Sequence, residues 1–278
     1  MKLVVRVSLV LVVFLLVFAC NQKPTVAVQK VEVRKKIEMV TDHGTMVLEL
    51  YNETPLHRDN FIKQALAGVY DSVLFHRVID SFMIQGGDPD SKYAKPGDTL
   101  GNGGLDYKIP AEFNPNLFHK KGVLAAARDG NIERASSSTQ FYIVEGKVLN
   151  DSLIDLAQFR VNSWLSEYYF KNDPKNKALL DSMQVALVKE DMEKYAVYSE
   201  HIHSMSQNYT NFPAYSISAA QREVYKTIGG TPHLDQNYTV YGEVIEGLEV
   251  IDSISSVQTG IFDRPVKDVR ILSVRVVE

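Results

Sequence analysis

The stretch that most restricts what this chain can become runs from Phe75 to Asp88: Phe-His-Arg-Val-Ile-Asp-Ser-Phe-Met-Ile-Gln-Gly-Gly-Asp. Leu74 to Ile79 and Met83 to Gln85 read as short strands, and Gly86-Gly87 supplies a turn after them. Period-2 alternation puts Phe75, Arg77 and Ile79 on one strand face. A guanidinium cannot be left unpaired against apolar neighbours, because stranding a buried charge is costly. Taken alone, Arg77 leaves two readings open. It is a surface arginine, as most arginines are, or it is held at a site by a partner.

Many other short strands surround it. Thr41-Asp42-His43-Gly44 is a hairpin turn between β-rich runs at Val31 to Val40 and Met46 to Tyr51. Thr54 reads as a helix N-cap with Pro55 at the first helical position, and Gly68 ends that helix. Val123 to Ala127, Gln140 to Val144, Thr239 to Val244 and the alternating Val269 to Val277 read as strands, and Gly247 to Ile254 as a second short helix. Short strands with two helices predict a mainly-β fold, a closed antiparallel barrel that removes sheet edges.

Residues from about 146 to 226 break this pattern. Ile154, Ala157, Val161, Trp164, Leu165 and Tyr168 sit at helical spacing. A second helix is predicted from about Asn176 to Met205, with Leu180, Met183, Leu187, Val188, Met192, Tyr195, Tyr198 and Ile202 on a broad stripe that reads as internal packing. Ser218-x-x-Gln221 matches a capping box before a third, short helix. The segment reads as a helical insertion between two barrel strands.

Four blocks, in order, carry a resemblance. Phe75 to Asp88 is the first. Gly122-Val-Leu-Ala-Ala-Ala-Arg-Asp129, Ser138-Thr-Gln-Phe-Tyr-Ile143 and Leu234-Asp-Gln-Asn-Tyr-Thr-Val-Tyr-Gly-Glu-Val244 are the others. Together they resemble the signatures of the cyclophilins, the peptidyl-prolyl cis-trans isomerases. The resemblance implies an eight-stranded barrel capped by a helix at each end, with a substrate site and no cofactor or metal. It implies Arg77 as the catalytic donor to the prolyl nitrogen. Gln85 would bind the substrate carbonyl and hold Arg77. Phe82, Met83, Tyr142 and Leu234 would form the proline pocket, and Tyr238 a stacking wall. Ala127 and the Arg128 backbone would meet the extended peptide, and Gln140 the neighbouring subsite. His233 stands where the family often has Trp, and Tyr238 where it often has His. The resemblance therefore implies weak binding of cyclosporin-like macrocycles.

The chemistry suits these parts. Amide resonance sets a rotation barrier of ~18–20 kcal/mol, and X-Pro isomers exchange in tens to hundreds of seconds. Twisting the amide restores a basic lone pair on nitrogen and makes the carbonyl less polar. An apolar pocket and one cationic donor aimed at the nitrogen both favour that state. Other candidates are weaker. His201 and His203 point apart on a helix, and Ser136-Ser137-Ser138 has no base motif nearby in sequence.

Lys2 and Arg6 precede an apolar run from Val7 to Ala19, broken only by Ser8 and too short for a membrane span. It predicts a signal peptide at 1–19. Val-Phe-Ala-Cys ending at Cys20 resembles a lipobox, so Cys20 is the expected lipidation site and 20–36 a tether to the 37–278 domain. Several acyl chains on Cys20 would anchor the protein stably. Asn21, rather than Asp, after the cysteine points to the outer membrane of a bacterial envelope, facing the periplasm. Cys20 is the only cysteine, so the mature domain holds no disulfide framework, thiol nucleophile or cysteine metal site. Loss of the leader removes two basic residues and no acid, taking the formal charge from -4 to -6, which argues against nucleic acid as a partner. The expected partners are proline-containing peptides or unfolded exported proteins. The rival reading is a tethered chaperone or binding module, in which the helical insertion holds a partner of its own.

Overall fold

The computed structural model describes residues 33–277. The expected signal peptide at 1–19, Cys20 and most of the expected tether lie outside the described residues. Lys36–Thr41 (β1) and Gly44–Leu50 (β2) pair as a hairpin, and Ile37, Met39, Met46, Leu48 and Leu50 are fully buried on one face. Helix α1, Pro55–Leu66, follows. The sequence assigns its cap to Thr54, but that side chain makes no cap hydrogen bond. The carboxylate of Glu112 accepts instead from the backbone N–H groups of Leu56 and His57, at 3.0 Å each. An acid from a distant loop thus takes the place of the local cap at the positive helix end.

The remaining strands are Arg77–Ile79 (β3), Met83–Gly86 (β4), Lys108–Ile109 (β5), Val123–Ala126 (β6), Ser136–Ser137 (β7), Phe141–Val144 (β8), Val240–Glu246 (β9) and Ile271–Val276 (β10). Eight of them form one curled antiparallel sheet in the order β10-β1-β2-β9-β6-β8-β4-β3; β5 and β7 make a separate pair. The expected closed barrel is therefore not a continuous ladder. Strands β3 and β10 are the two ends of the row. Between them runs the irregular segment 72–75, whose backbone bonds to 269–271 around a single Leu74–Arg270 bridge. Ser72 sits at φ 67, a left-handed kink that keeps this segment from continuing as regular strand.

The sheet is buried on both faces where it matters. Leu124, Ala126, Phe141 and Ile143 point into the main core with Phe61 and Tyr70, whereas Val123, Ala125, Tyr142 and Val144 point into a second cluster. This is why β6 and β8 read as unbroken apolar runs rather than alternating ones.

Between β8 and β9 lie four helices: Asp151–Asn172 (α2), Lys177–Val188 (α3), Met192–Gln207 (α4) and Ala219–Thr227 (α5). Helix α6, Leu248–Ser255, follows β9. The long helix expected from Asn176 to Met205 is two. Glu190 takes φ 57 and the Asp191 side chain caps α4 by accepting from Lys194 N–H at 3.1 Å. The stripe packs only in part: Ile202 is buried and Leu180, Met183, Tyr195 and Tyr198 are half-buried, while Leu187, Val188 and Met192 are exposed. The break turns α3 back on α4 as a hairpin, so neither helix is enclosed. The Ser218–Gln221 capping box is present at α5. The segment begins and ends at one point: Gly146 and Gly230 touch so closely that a Cβ on Gly146 would lie 2.4 Å from the Gly230 Cα.

Candidate active site

Strand register builds the site. Arg77 on β3 is opposite Gln85 on β4, Gln85 is opposite Tyr142 on β8, and Tyr142 is opposite Ala125 on β6. Directly opposed residues share a face, so arginine, glutamine and tyrosine stand side by side across three strands. Met83, two residues before Gln85, lies on the same face.

The Arg77 side chain is 42% exposed. Its Nη1 donates to Gln85 Oε1 at 3.5 Å, a long contact, and its Nε donates to Asp263 Oδ2 at 3.3 Å. Gln85 Nε2 donates to Gln140 Oε1 at 3.2 Å, and Gln140 Nε2 donates to the carbonyls of Gly101 and Gly103 at 2.9 and 2.7 Å. The buried Asp88 carboxylate fixes that same loop, accepting from the N–H groups of Gly101 and Gly103. The guanidinium is thus aligned through two neutral amides tied to a loop. Asp263, also in the left-handed region at φ 60, adds a half-exposed counter-charge. Sequence reasoning missed it because it lies 186 positions away.

Met83, Tyr142 and Leu234 are buried in the second apolar cluster, and Phe82 and Tyr238 pack against it. Tyr238 meets the Tyr142 ring edge-on at 5.9 Å, and Phe82 stacks on His233 at 5.7 Å. His233 therefore occupies the aromatic position beside Phe82, and burial lowers its pKa to about 4. Arg128 reaches over the Tyr238 ring at 4.8 Å while its Nε and Nη2 donate to Asn237. The N–H and C=O of Ala127 are both used inside the fold, by Gln140 and Ser137.

A cleft of about 500 Å³ adjoins this set, lined by Gln85, Ala127, Arg128, Gln140 and the 101–108 loop. Four predicted residues line it. Arg77, Phe82, Met83, Tyr142, Leu234 and Tyr238 do not; the last five belong to the second apolar cluster.

Two histidines were not read from the sequence. His57 Nδ1 meets Glu112 at 2.7 Å and its Nε2 meets Ser136 Oγ at 2.9 Å, so Ser136 does have a base beside it. Ser136 is 1% exposed, however, and the three groups tie β7 to α1 rather than face a substrate. His119 is fully buried and meets the Tyr142 hydroxyl at 2.9 Å.

The chain matches the family described as cyclophilin type peptidyl-prolyl cis-trans isomerase/CLD over residues 36–276. A Staphylococcus haemolyticus (strain JCSC1435) protein described as a candidate peptidyl-prolyl cis-trans isomerase is 28% identical over 242 residues, covering 87% of this chain and 90% of that one. A Staphylococcus aureus (strain USA300) protein of the same description is 29% identical over 244 residues, covering 87% and 92%. A crystal structure of a Cryptosporidium parvum cyclophilin type peptidyl-prolyl cis-trans isomerase aligns with a TM-score of 0.53 at 16% identity, covering 88% of this chain and 98% of that one. The same protein in the presence of the dipeptide Ala-Pro aligns at 0.52. This chain belongs to the cyclophilin-type peptidyl-prolyl cis-trans isomerases.

Proposed function

We propose that this protein speeds cis–trans exchange at X-Pro bonds of exported proteins, held by a lipidated Cys20 at the outer membrane and facing the periplasm. The row Arg77–Gln85–Tyr142 beside an apolar cluster is the observation that carries the catalytic part. Arg77 is the donor to the prolyl nitrogen and Gln85 its aligning partner. Phe82, Met83, Tyr142, Leu234 and Tyr238 surround the proline ring. Ala127, Arg128 and Gln140 border the cleft that receives the preceding residues. Because a charged donor contributes ~1.5–3 kcal/mol, Arg77→Ala lowers kcat/KM on a prolyl peptide by at least about tenfold, since each 1.4 kcal/mol is a factor of ten. A folded Arg77→Ala variant with wild-type turnover sinks the assignment. The envelope location rests on the sequence of residues 1–21 alone, and mass measurement of the mature N-terminus tests it.

A second reading is favoured by one observation. Phe159 on α2, Val188 on α3 and Val197 on α4 are each more than 60% exposed, which suits an insertion that holds unfolded chain. Deleting the helical segment and measuring suppression of aggregation separates this role from isomerisation.

A further inference from the structure

The Asp235 carboxylate is fully buried yet surrounded by donors. The backbone N–H and Nδ1 of His119 reach Oδ1 at 2.8 Å each. The hydroxyls of Tyr215 and Tyr225 reach Oδ2 at 3.0 and 2.8 Å. An ionised carboxylate only accepts, so Nδ1 of His119 carries the hydrogen. In the neutral ring Nε2 is then the acceptor, and the Tyr142 hydroxyl donates to it. Burial raises the Tyr142 and Tyr225 pKa values far above the ordinary range, which keeps both hydroxyls protonated as donors.

The two outer tyrosines come from the helical segment. Asn162 on α2 pairs with both the N–H and the C=O of Tyr215, at 2.8 and 2.9 Å. Tyr225 lies on α5, and its ring meets Phe118, the neighbour of His119, edge-on at 5.4 Å. At the other end, Tyr142 stands in the catalytic row, and Asp235 directly follows Leu234 on the strap that also carries Tyr238.

Resting on the isomerase reading above, we infer that Tyr215 and Tyr225 are positioning residues of the prolyl site. Through Asp235 and His119 they set the rotation of the Tyr142 ring. The Tyr142 hydroxyl is drawn away from the pocket, which leaves an apolar ring face for proline. The helices are thus an outer wall of the active site and not an appended module.

The test is a cycle on kcat/KM. Tyr215→Phe with Tyr225→Phe removes two hydroxyl groups and no ring. Turnover falls about threefold to tenfold, within the coupling expected of one hydrogen-bond network. In the Tyr142→Phe background the same pair of changes costs less than about twofold, because the relay has lost its end. A purely structural role lowers the melting temperature equally in both backgrounds and leaves the activity losses multiplicative, which overturns the proposal. If the double variant does not fold, Tyr225→Phe alone runs the same cycle, and multiplicative losses there overturn it too. NMR of the Tyr142 ring and His119 imidazole gives a readout independent of turnover: shifts unchanged by the double substitution refute the relay. A wild type without isomerase activity defeats the reading of function, and the NMR result still decides the relay.

Discussion

Replacing Asp235 by Asn keeps shape and volume and changes only charge and hydrogen-bond polarity. Four donors converge on this carboxylate at 2.8–3.0 Å, and the side chain has no exposure to water. The amide oxygen can still serve His119. The amide nitrogen then faces two tyrosine hydroxyls, which must turn to accept and leave their own hydrogens without partners. Each buried donor stranded in this way costs ~1–3 kcal/mol, and charge-assisted bonds become neutral ones. Against this stands the relief of no longer burying a carboxylate, which in apolar surroundings can make a neutral replacement favourable. Here the donors already compensate the charge, so the loss dominates at roughly 2–4 kcal/mol. In a domain of this size each kcal/mol moves the melting temperature by ~2–4 °C, giving a fall of about 4–16 °C. Thermal unfolding followed by circular dichroism at pH 7 measures it. A melting temperature unchanged or raised in Asp235→Asn would refute the argument, because it would mean that desolvation outweighs four aligned donors.

Two further outcomes follow from buried groups. Burial lowers the pKa of both His76 and His233 to about 4, below an unfolded value of ~6.5, so the stability they confer is complete above pH 6.5 and drains away as pH falls toward 4; each contributes up to about 3 kcal/mol. Urea midpoints should begin to decline just below pH 6.5, before most carboxylates titrate, and a flat profile from pH 7 to 5 contradicts this. A Cβ on Gly230 would lie 2.2 Å from the His119 carbonyl oxygen at a backbone φ of +152, so Gly230→Ala costs about 3 kcal/mol or more, whereas Gly130→Ala, with open space around it, stays within ~0.5 kcal/mol in the same unfolding assay.

How much of this was legible in the sequence depends on the range of the interaction. Strand and helix positions follow from periodicity and caps, which are local: the β1–β2 hairpin and the Ser218–Gln221 box stand where the pattern puts them, and α1 starts at Pro55 although Glu112 rather than Thr54 caps it. The stripe from Asn176 to Met205 reads as one helix because its apolar spacing does not register a single left-handed residue at Glu190. The seam between β3 and β10 was hidden for a similar reason, since Ser72 carries no sequence mark of its conformation. Arg77, Gln85 and Tyr142 were legible through resemblance, and register then brings them together. Asp263, Glu112 and His119 were not legible, because each acts on a partner at least 23 positions away in sequence.

The same distinction explains why a large helical segment can sit in a small catalytic fold without disturbing it. Its ends meet at Gly146 and Gly230, and Gly230 bridges to both Lys147 and Lys120 beside His119. A loop closed at one point adds little strain to the sheet, since closure entropy grows only slowly with length. What the segment adds at that point is polar: two tyrosine hydroxyls delivered to a carboxylate that would otherwise be buried with fewer partners. Removing the helices therefore strands Asp235 as well as shortening the chain. A deletion variant that loses activity would then not by itself show that the helices touch substrate, and pairing the deletion with Asp235→Asn separates the two effects. If the helices act only through the carboxylate, the asparagine recovers part of the stability lost in the deletion.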